Sequence, residues 1–295
     1  MADDNASTSV ALARVPWREV LMFCVLAYAF SWLWWMPAIL AQIRQRLTGM
    51  GTTGDPATTM GQLGIAIGMF GPMIAAVIMR LFVSREGVKA SLGLRSSWRC
   101  YLIAVMGPML FVGMVILVNH VTGLGRFVWP SRRSFWPAYA LIWISGISSA
   151  VFAVGEEYGW RGYLLPRLLR LGEIRATFAV GAIWAFWHLP VVGFNYPGQN
   201  LLAALAVFTI FIILLAFPFT WLSVASGGSV IVVSVLHGMF NAHVDTLTTS
   251  ATIPKGNALV VNGTGLTSAA LLLLIVLAVY GIYKRPGGMR GQIIR

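Results

Sequence analysis

The chain has 295 residues, of which 58% are hydrophobic and only 10% charged, far below the roughly 25% charged residues of an average soluble domain. That balance excludes an ordinary soluble enzyme and predicts an all-α polytopic membrane protein organised as one helical bundle. The net charge of +12 does not point to nucleic acid, because the basic residues lie in short loops beside apolar runs instead of clustering on one polar face.

The N-terminal stretch is polar for about 17 residues. The apolar run after it is too long and too rich in Trp for a cleaved signal segment, which predicts a retained first span. Spans of about 20 apolar residues are expected near 20–43, 60–83, 100–120, from 135 into 156, 177–196, 201–222, 229–247 and 266–283. The first carries Trp32, Trp34, Trp35 and Pro37 toward its far end, and Gly71-Pro72 predicts a kink in the second. Arg80, Arg85, Lys89, Arg95 and Arg99 form a basic loop before the third, which His120 closes at an interface. After the fourth, Pro166, Arg167, Arg170 and Arg175 predict an amphipathic exit along the membrane surface. Only the fourth, fifth and seventh spans bring polar groups inside.

An eight-span arrangement places 15 of the 21 Lys and Arg residues on the side of both termini and six on the other, which predicts cytoplasmic termini. The expected organisation is a cytoplasmic segment 1–19, an eight-helix transmembrane domain 20–283 with its motif core at 155–245, and a basic cytoplasmic tail 284–295. Cys24 and Cys100 offer neither a disulfide framework nor a metal-ligand spacing. No internal repeat is visible.

Glu156 and Glu157 end the fourth apolar run. An ionisable side chain in a spanning helix costs about 2.5–3.5 kcal/mol on insertion scales and is a functional hypothesis by default. Neighbours on a helix point about 100° apart, whereas residues four apart share a face. Arg161 is therefore placed to neutralise Glu157, which leaves Glu156 free as an acid or base; a purely structural ion cluster fits this stretch equally well.

On the seventh span His237, Asn241 and Asp245 fall at i, i+4 and i+8, one polar stripe on an apolar helix. His237 and Asn241 can both donate to a developing oxyanion, or bond a neighbouring helix. His188 lies at similar depth on the fifth span, one turn after Trp184. Together Glu156, His188, His237 and Asn241 compose a hydrolase constellation with water as nucleophile. No serine stands in a G-x-S-x-G context, and neither cysteine is near these residues in the sequence.

At these residues the chain resembles the CAAX protease and bacteriocin-processing (Abi) family of membrane proteases, whose motifs are E-E-x-x-x-R, F-x-x-x-H and H-x-x-x-N. Here they read Glu156-Glu157-x-x-x-Arg161, Trp184-x-x-x-His188 and His237-x-x-x-Asn241, with tryptophan in the phenylalanine position. The resemblance implies a glutamate-dependent intramembrane endopeptidase without a cofactor. Glu156 with His188 would activate water, His237 and Asn241 would stabilise the oxyanion, and Glu157, Arg161 and Trp184 would support them. It also implies a conical cavity opening toward the cytoplasm, a peptide or lipidated-protein substrate of prenylated CAAX or bacteriocin-leader type, and residence in a bacterial inner membrane or the endoplasmic reticulum.

Two other readings share the same residues. Glu156, His188 and His237 could supply the three protein ligands of a catalytic zinc. The buried acids could instead line an ion path in a transporter, or brace a membrane scaffold.

Overall fold

The computed structural model describes residues 14–48, 56–93, 96–128, 135–192, 199–249 and 252–283. The segments 1–13 and 284–295, on which the cytoplasmic placement of the extreme termini was expected, lie outside these residues, as does the expected end of the fifth span near 196.

The bundle is helical as the composition requires. Helix α1 spans Trp17–Thr48, α2 Pro56–Gly68, α3 Gly71–Ile78, α4 Trp98–Val121, α5 Phe135–Gly159 and α6 Glu173–His188, followed by α7 Leu201–Ala225, α8 Val230–His243, α9 Ala258–Val261 and α10 Leu266–Tyr283. Among the described residues, seven helices are long and apolar enough to cross a membrane, and the pair Met60–Gly68 and Gly71–Val83, bent by 41°, makes an eighth if taken as one broken span. The kink expected at Gly71-Pro72 is thus present. Proline at the start of α3 lacks the N–H that a continuous helix would need there.

Local sequence sets the helix ends. Ser97, Asn200 and Ser229 cap α4, α7 and α8 by accepting from Arg99, Ala203 and Val232 backbone N–H groups, which satisfies donors that a helix start otherwise leaves bare. A short strand pair, β1 Gly125–Phe127 and β2 Thr252–Pro254, joins antiparallel. Neither strand was visible in the pattern, since three residues are too few to show an alternation.

Successive spans run in opposite directions, so the connections collect at two ends. At one end Ser229 Oγ donates to the Gly93 carbonyl, Tyr158 Oη to that of Val88 at 2.6 Å and Arg170 Nη1 to that of Arg14 at 2.7 Å. This end carries the basic loops. At the other end lie β1 and β2, with Lys255 N–H donating to the Leu124 carbonyl at 2.9 Å and Asn119 Nδ2 to that of Val261 at 3.1 Å.

The exit after Glu156-Glu157 differs from expectation. Instead of peeling onto the membrane surface, α5 continues through a π-helical turn, Trp160–Leu164, and two short turns to Leu171. Arg167 is buried at 7% exposure. Its Nε bonds Glu19 at 2.8 Å and its Nη2 bonds Glu86 at 2.7 Å, while Arg80 Nη1 takes the other Glu86 oxygen at 2.8 Å. Arg167 faces charged partners from distant segments, not water, while Arg170 and Arg175 are exposed, and a local periodicity cannot distinguish the two.

Helices α5 and α8 meet backbone to backbone. A Cβ placed on Gly238 would come within 2.3 Å of the Ala150 amide nitrogen and 2.5 Å of the Gly146 carbonyl oxygen. Small residues are what permit such approach between membrane helices. Gly238→Ala should therefore lower stability by about 1–3 kcal/mol through overpacking. Gly107→Ala, where a Cβ meets nothing within 4 Å, should leave the thermal unfolding midpoint in detergent unchanged or raise it.

Candidate active site

Three helices deliver the polar groups: α5 and its π turn carry Glu156, Glu157 and Arg161, α6 carries Trp184 and His188, and α8 carries His237 and Asn241. The consecutive glutamates separate as helical geometry requires. Glu157 turns into the protein, where Arg161 Nη1 bonds its two carboxylate oxygens at 3.0 and 2.9 Å. It also takes a hydrogen bond from His237 Nδ1 at 2.8 Å; a carboxylate only accepts, so the ring nitrogen donates. The expected Glu157–Arg161 pair is present, and Glu157 has a second task, the orientation of His237, eighty positions away.

Glu156 turns the other way, where its Oε2 accepts from Trp184 Nε1 at 3.0 Å. Trp184 is buried at the centre of the site. Its ring lies 5.7 Å from His188 and 5.6 Å from His237 between centroids. The Arg161 guanidinium sits 4.4 Å from the same ring and 4.7 Å from that of Phe219, which balances a buried cation with two aromatic faces. A phenylalanine at 184 could supply the packing but not the N–H. His188 Nδ1 lies 2.9 Å from the Trp184 carbonyl oxygen. That contact sets Nδ1 as donor and leaves the Nε2 lone pair of a neutral ring to accept a proton. Trp187 packs edge-on to His188 with centroids 4.7 Å apart.

A cavity of about 420 Å³ receives these groups, lined by Glu156, Trp184, His188, His237 and Asn241, by apolar walls from α1, α2 and α7, and by Asp245, Asn262 and Thr264. All four residues expected to act on substrate therefore line one space. Glu157 and Arg161 stand behind it. Along α8 the exposure grows in one direction: His237 is buried, Asn241 half-buried and Asp245 exposed. The mouth is thus at the end that holds β1 and β2.

The opposite end is the side of the basic loops. There the way is filled by Arg161 between Trp184 and Phe219. Beyond it a separate cavity of about 450 Å³ is lined by Glu19, Arg80, Glu86, Arg161, Arg167 and Arg170 among others. Buried charges in such a network need their partners beside them, and the ion pairs of Arg167 and Arg80 occupy what would otherwise be an entrance.

Among the described residues no three His, Cys, Asp or Glu side chains are grouped as a metal ion requires. Glu156, His188 and His237 line the same cavity. Phe219 and Trp187, which shape the site, were not singled out from the sequence, since an aromatic residue on an apolar helix carries no distinguishing mark. The bond from His237 to Glu157 likewise has no local signal.

Residues 136–243 match the family model described as type II CAAX prenyl endopeptidase Rce1-like. A curated relative, the CAAX prenyl protease 2 of Methanococcus maripaludis, is 22% identical over 149 residues, which cover 48% of this chain and 54% of that protein. The match thus spans about half the length of the relative. The family resemblance carried by the three motifs holds over this stretch, which contains Glu156, Trp184, His188, His237 and Asn241.

Breaking a buried pair by removing one partner costs about 3–5 kcal/mol. Arg161→Met should therefore destabilise the protein by that order, whereas Arg161→Met combined with Glu157→Gln should recover most of the loss. Thermal unfolding in detergent of the two variants beside the parent measures the difference.

Proposed function

We propose that this protein is an intramembrane endopeptidase that hydrolyses a peptide bond with a water molecule activated by Glu156. The observation that carries the proposal is the convergence of Glu156, His188, His237 and Asn241 on one cavity, at the motifs shared with a family named for its endopeptidases.

The water lies between the Glu156 carboxylate and His188 Nε2. Glu156 takes a proton as the oxygen attacks the carbonyl carbon, and the carbonyl π electrons move onto its oxygen. His237 Nε2 and Asn241 Nδ2, one helical turn apart, donate to that oxyanion. His237 donates there as an imidazolium, since its Nδ1–H is already given to Glu157. In this state the two carboxylates, Arg161 and His237 sum to zero charge. The proton held by Glu156 then passes to the departing amine nitrogen, the carbon–nitrogen bond breaks, and a carboxylic acid and an amine leave, the acid's proton moving to the amine to give carboxylate and ammonium. His188, anchored on the Trp184 carbonyl, orients the water and shares its proton.

Each part has a physical rationale. General base catalysis contributes about 10²–10⁴ in rate. Prepositioned donors in a water-poor cavity stabilise charge without reorganising. Trp184 fixes the Glu156 carboxylate while its other oxygen remains for water. The substrate is a polypeptide segment, whose apolar parts suit the walls from α1, α2 and α7; the relatives' names suggest prenylated CAAX-type peptides, and a leader or bacteriocin peptide suits the same walls.

Glu156→Gln should remove cleavage of a peptide panel by at least about 10²–10⁴-fold, the worth of the general base, with the protein still folded; full activity in that variant would reject the assignment. Asn241→Ala should lower kcat by about 10²–10³-fold, as loss of one oxyanion donor does elsewhere. Trp184→Phe keeps the ring and deletes the donor. Loss of a hydrogen bond to a charged group, about 1.5–3 kcal/mol, should lower its kcat by one to two orders of magnitude with KM little changed.

A further inference from the structure

The charged cavity at the end with the basic loops holds a surplus that the fold does not use. Its lining sets Arg80, Arg161, Arg167 and Arg170 against Glu19 and Glu86. Three of these arginines are neutralised. Arg80 and Arg167 share Glu86, Arg167 also takes Glu19, and Arg161 belongs to Glu157 behind the wall. Arg170 is exposed and pairs with no carboxylate among the described residues; its Nη1 donates to the Arg14 carbonyl at 2.7 Å. One positive charge is therefore left over. Donors are left over as well, since Nε of Arg80 and both Nε and Nη2 of Arg161 are buried without an acceptor. A buried charged donor in that state is costly and points to a missing acceptor.

The cavity lies at the level of lipid headgroups. It is walled by the start of α1, the segment after α3, the continuation of α5 and the turn between α7 and α8, so every contributor is near a helix end. Trp17 and Trp98, which open α1 and α4 at this same end, are 53% and 69% exposed, as in an interfacial aromatic belt. In the turn, Gly227 and Gly228 have φ of +72° and +83°, and a Cβ on either would meet nothing within 4 Å. Conformations that glycine adopts most readily leave this wall without side chains, and the cavity is open there.

We propose that this cavity binds a phosphate group, carried by the headgroup of an anionic lipid or present as free inorganic phosphate, with Arg170 as the cation that holds it. Charge and geometry both favour such a ligand. A phosphodiester carries one negative charge, which the surplus at Arg170 matches. Two of its oxygens can accept from the Nε and Nη2 edge of that guanidinium, which stays available while Nη1 serves Arg14, and such paired bonds are the strong ones. Deeper in, the unpartnered N–H groups of Arg80 and Arg161 gain an acceptor in the ligand or in water that it holds. Glu19 and Glu86 do not oppose it, because both carboxylates are bonded to Arg80 or Arg167. Basic pockets between helix ends are where anionic headgroups bind. The proposal does not rest on the peptidase reading, and it holds whichever side of the membrane this end faces.

Binding to the purified full chain in a neutral detergent tests this. Short-chain phosphatidylglycerol, short-chain phosphatidylcholine and inorganic phosphate are titrated separately, with calorimetry and the thermal unfolding midpoint as readouts. Phosphatidylglycerol or phosphate should bind saturably and raise the midpoint, and phosphatidylcholine, whose ammonium cancels the charge, should bind more weakly. Competition between phosphate and phosphatidylglycerol identifies the free ion as a ligand too, whereas phosphatidylglycerol binding that phosphate does not disturb assigns the site to a lipid headgroup. Arg170→Gln should weaken binding by about tenfold or more, the worth of one hydrogen bond to a charged group. Arg175→Gln, which removes an exposed cation outside the cavity, should change it by less than about twofold. If Arg170→Gln does not accumulate, Arg170→Lys, which keeps the charge and loses the fork, takes its place, again with weaker binding expected. Saturable binding of neither phosphatidylglycerol nor phosphate overturns the proposal. So does phosphatidylcholine binding as tightly as phosphatidylglycerol, binding that the Arg170 variants leave unchanged, or an equal loss in Arg175→Gln, which would reduce the effect to general attraction by a basic surface.

Discussion

Two carboxylates on consecutive residues, both buried in an apolar bundle, impose the constraint from which the rest of the site follows. They cannot share a partner, because helical geometry sends them in different directions, and neither can be left bare at this depth. The fold answers with two unlike environments. Glu157 receives a guanidinium and an imidazole N–H and is closed off; Glu156 receives one indole N–H and remains open to a cavity. One residue is closed into the structure and its neighbour faces the cavity, although their chemistry is identical. Trp184 links the two, since its N–H holds the open acid while its face receives the arginine that closes the other.

The same requirement accounts for the basic end of the bundle. Arg80 and Arg167 are buried there, and each reaches Glu86. Their side chains cross between the segment after α3, the continuation of α5 and the start of α1, so the charges that would disfavour burial also join three parts of the chain. With this end occupied by paired ions, the cavity that receives Glu156 is lined toward the other end by Asp245, Asn262 and Thr264.

Much of this was legible in the sequence. The spans could be counted from hydropathy, and the broken second span from Gly71-Pro72. Glu156, His188, His237 and Asn241 were recognisable because a polar residue inside a spanning helix is costly enough to need a reason. Spacing alone gave the Glu157–Arg161 pair. What could not be read depends on contacts between distant segments. Arg167 on its own looks like a surface residue; only the positions of Glu19 and Glu86 show it to be buried. Glu157 as the partner of His237, and the side on which the cavity opens, depend on how helices pack across the bundle, and no local period encodes that.

The contact between Gly238 and the backbone around Ala150 has a mechanical meaning. His237 adjoins that contact on α8, and Glu156 stands six residues beyond Ala150 on α5, about 9 Å at 1.5 Å per residue. At Gly238 backbone meets backbone, with the Met239 side chain seated beside Gly146, which holds α5 and α8 together as they tilt. Bilayers differ in thickness, and helices answer by tilting. Outer helices can take up that adjustment while the spacing between Glu156 and the His237–Asn241 pair stays the same, which lets the cavity keep its shape in bilayers of different thickness.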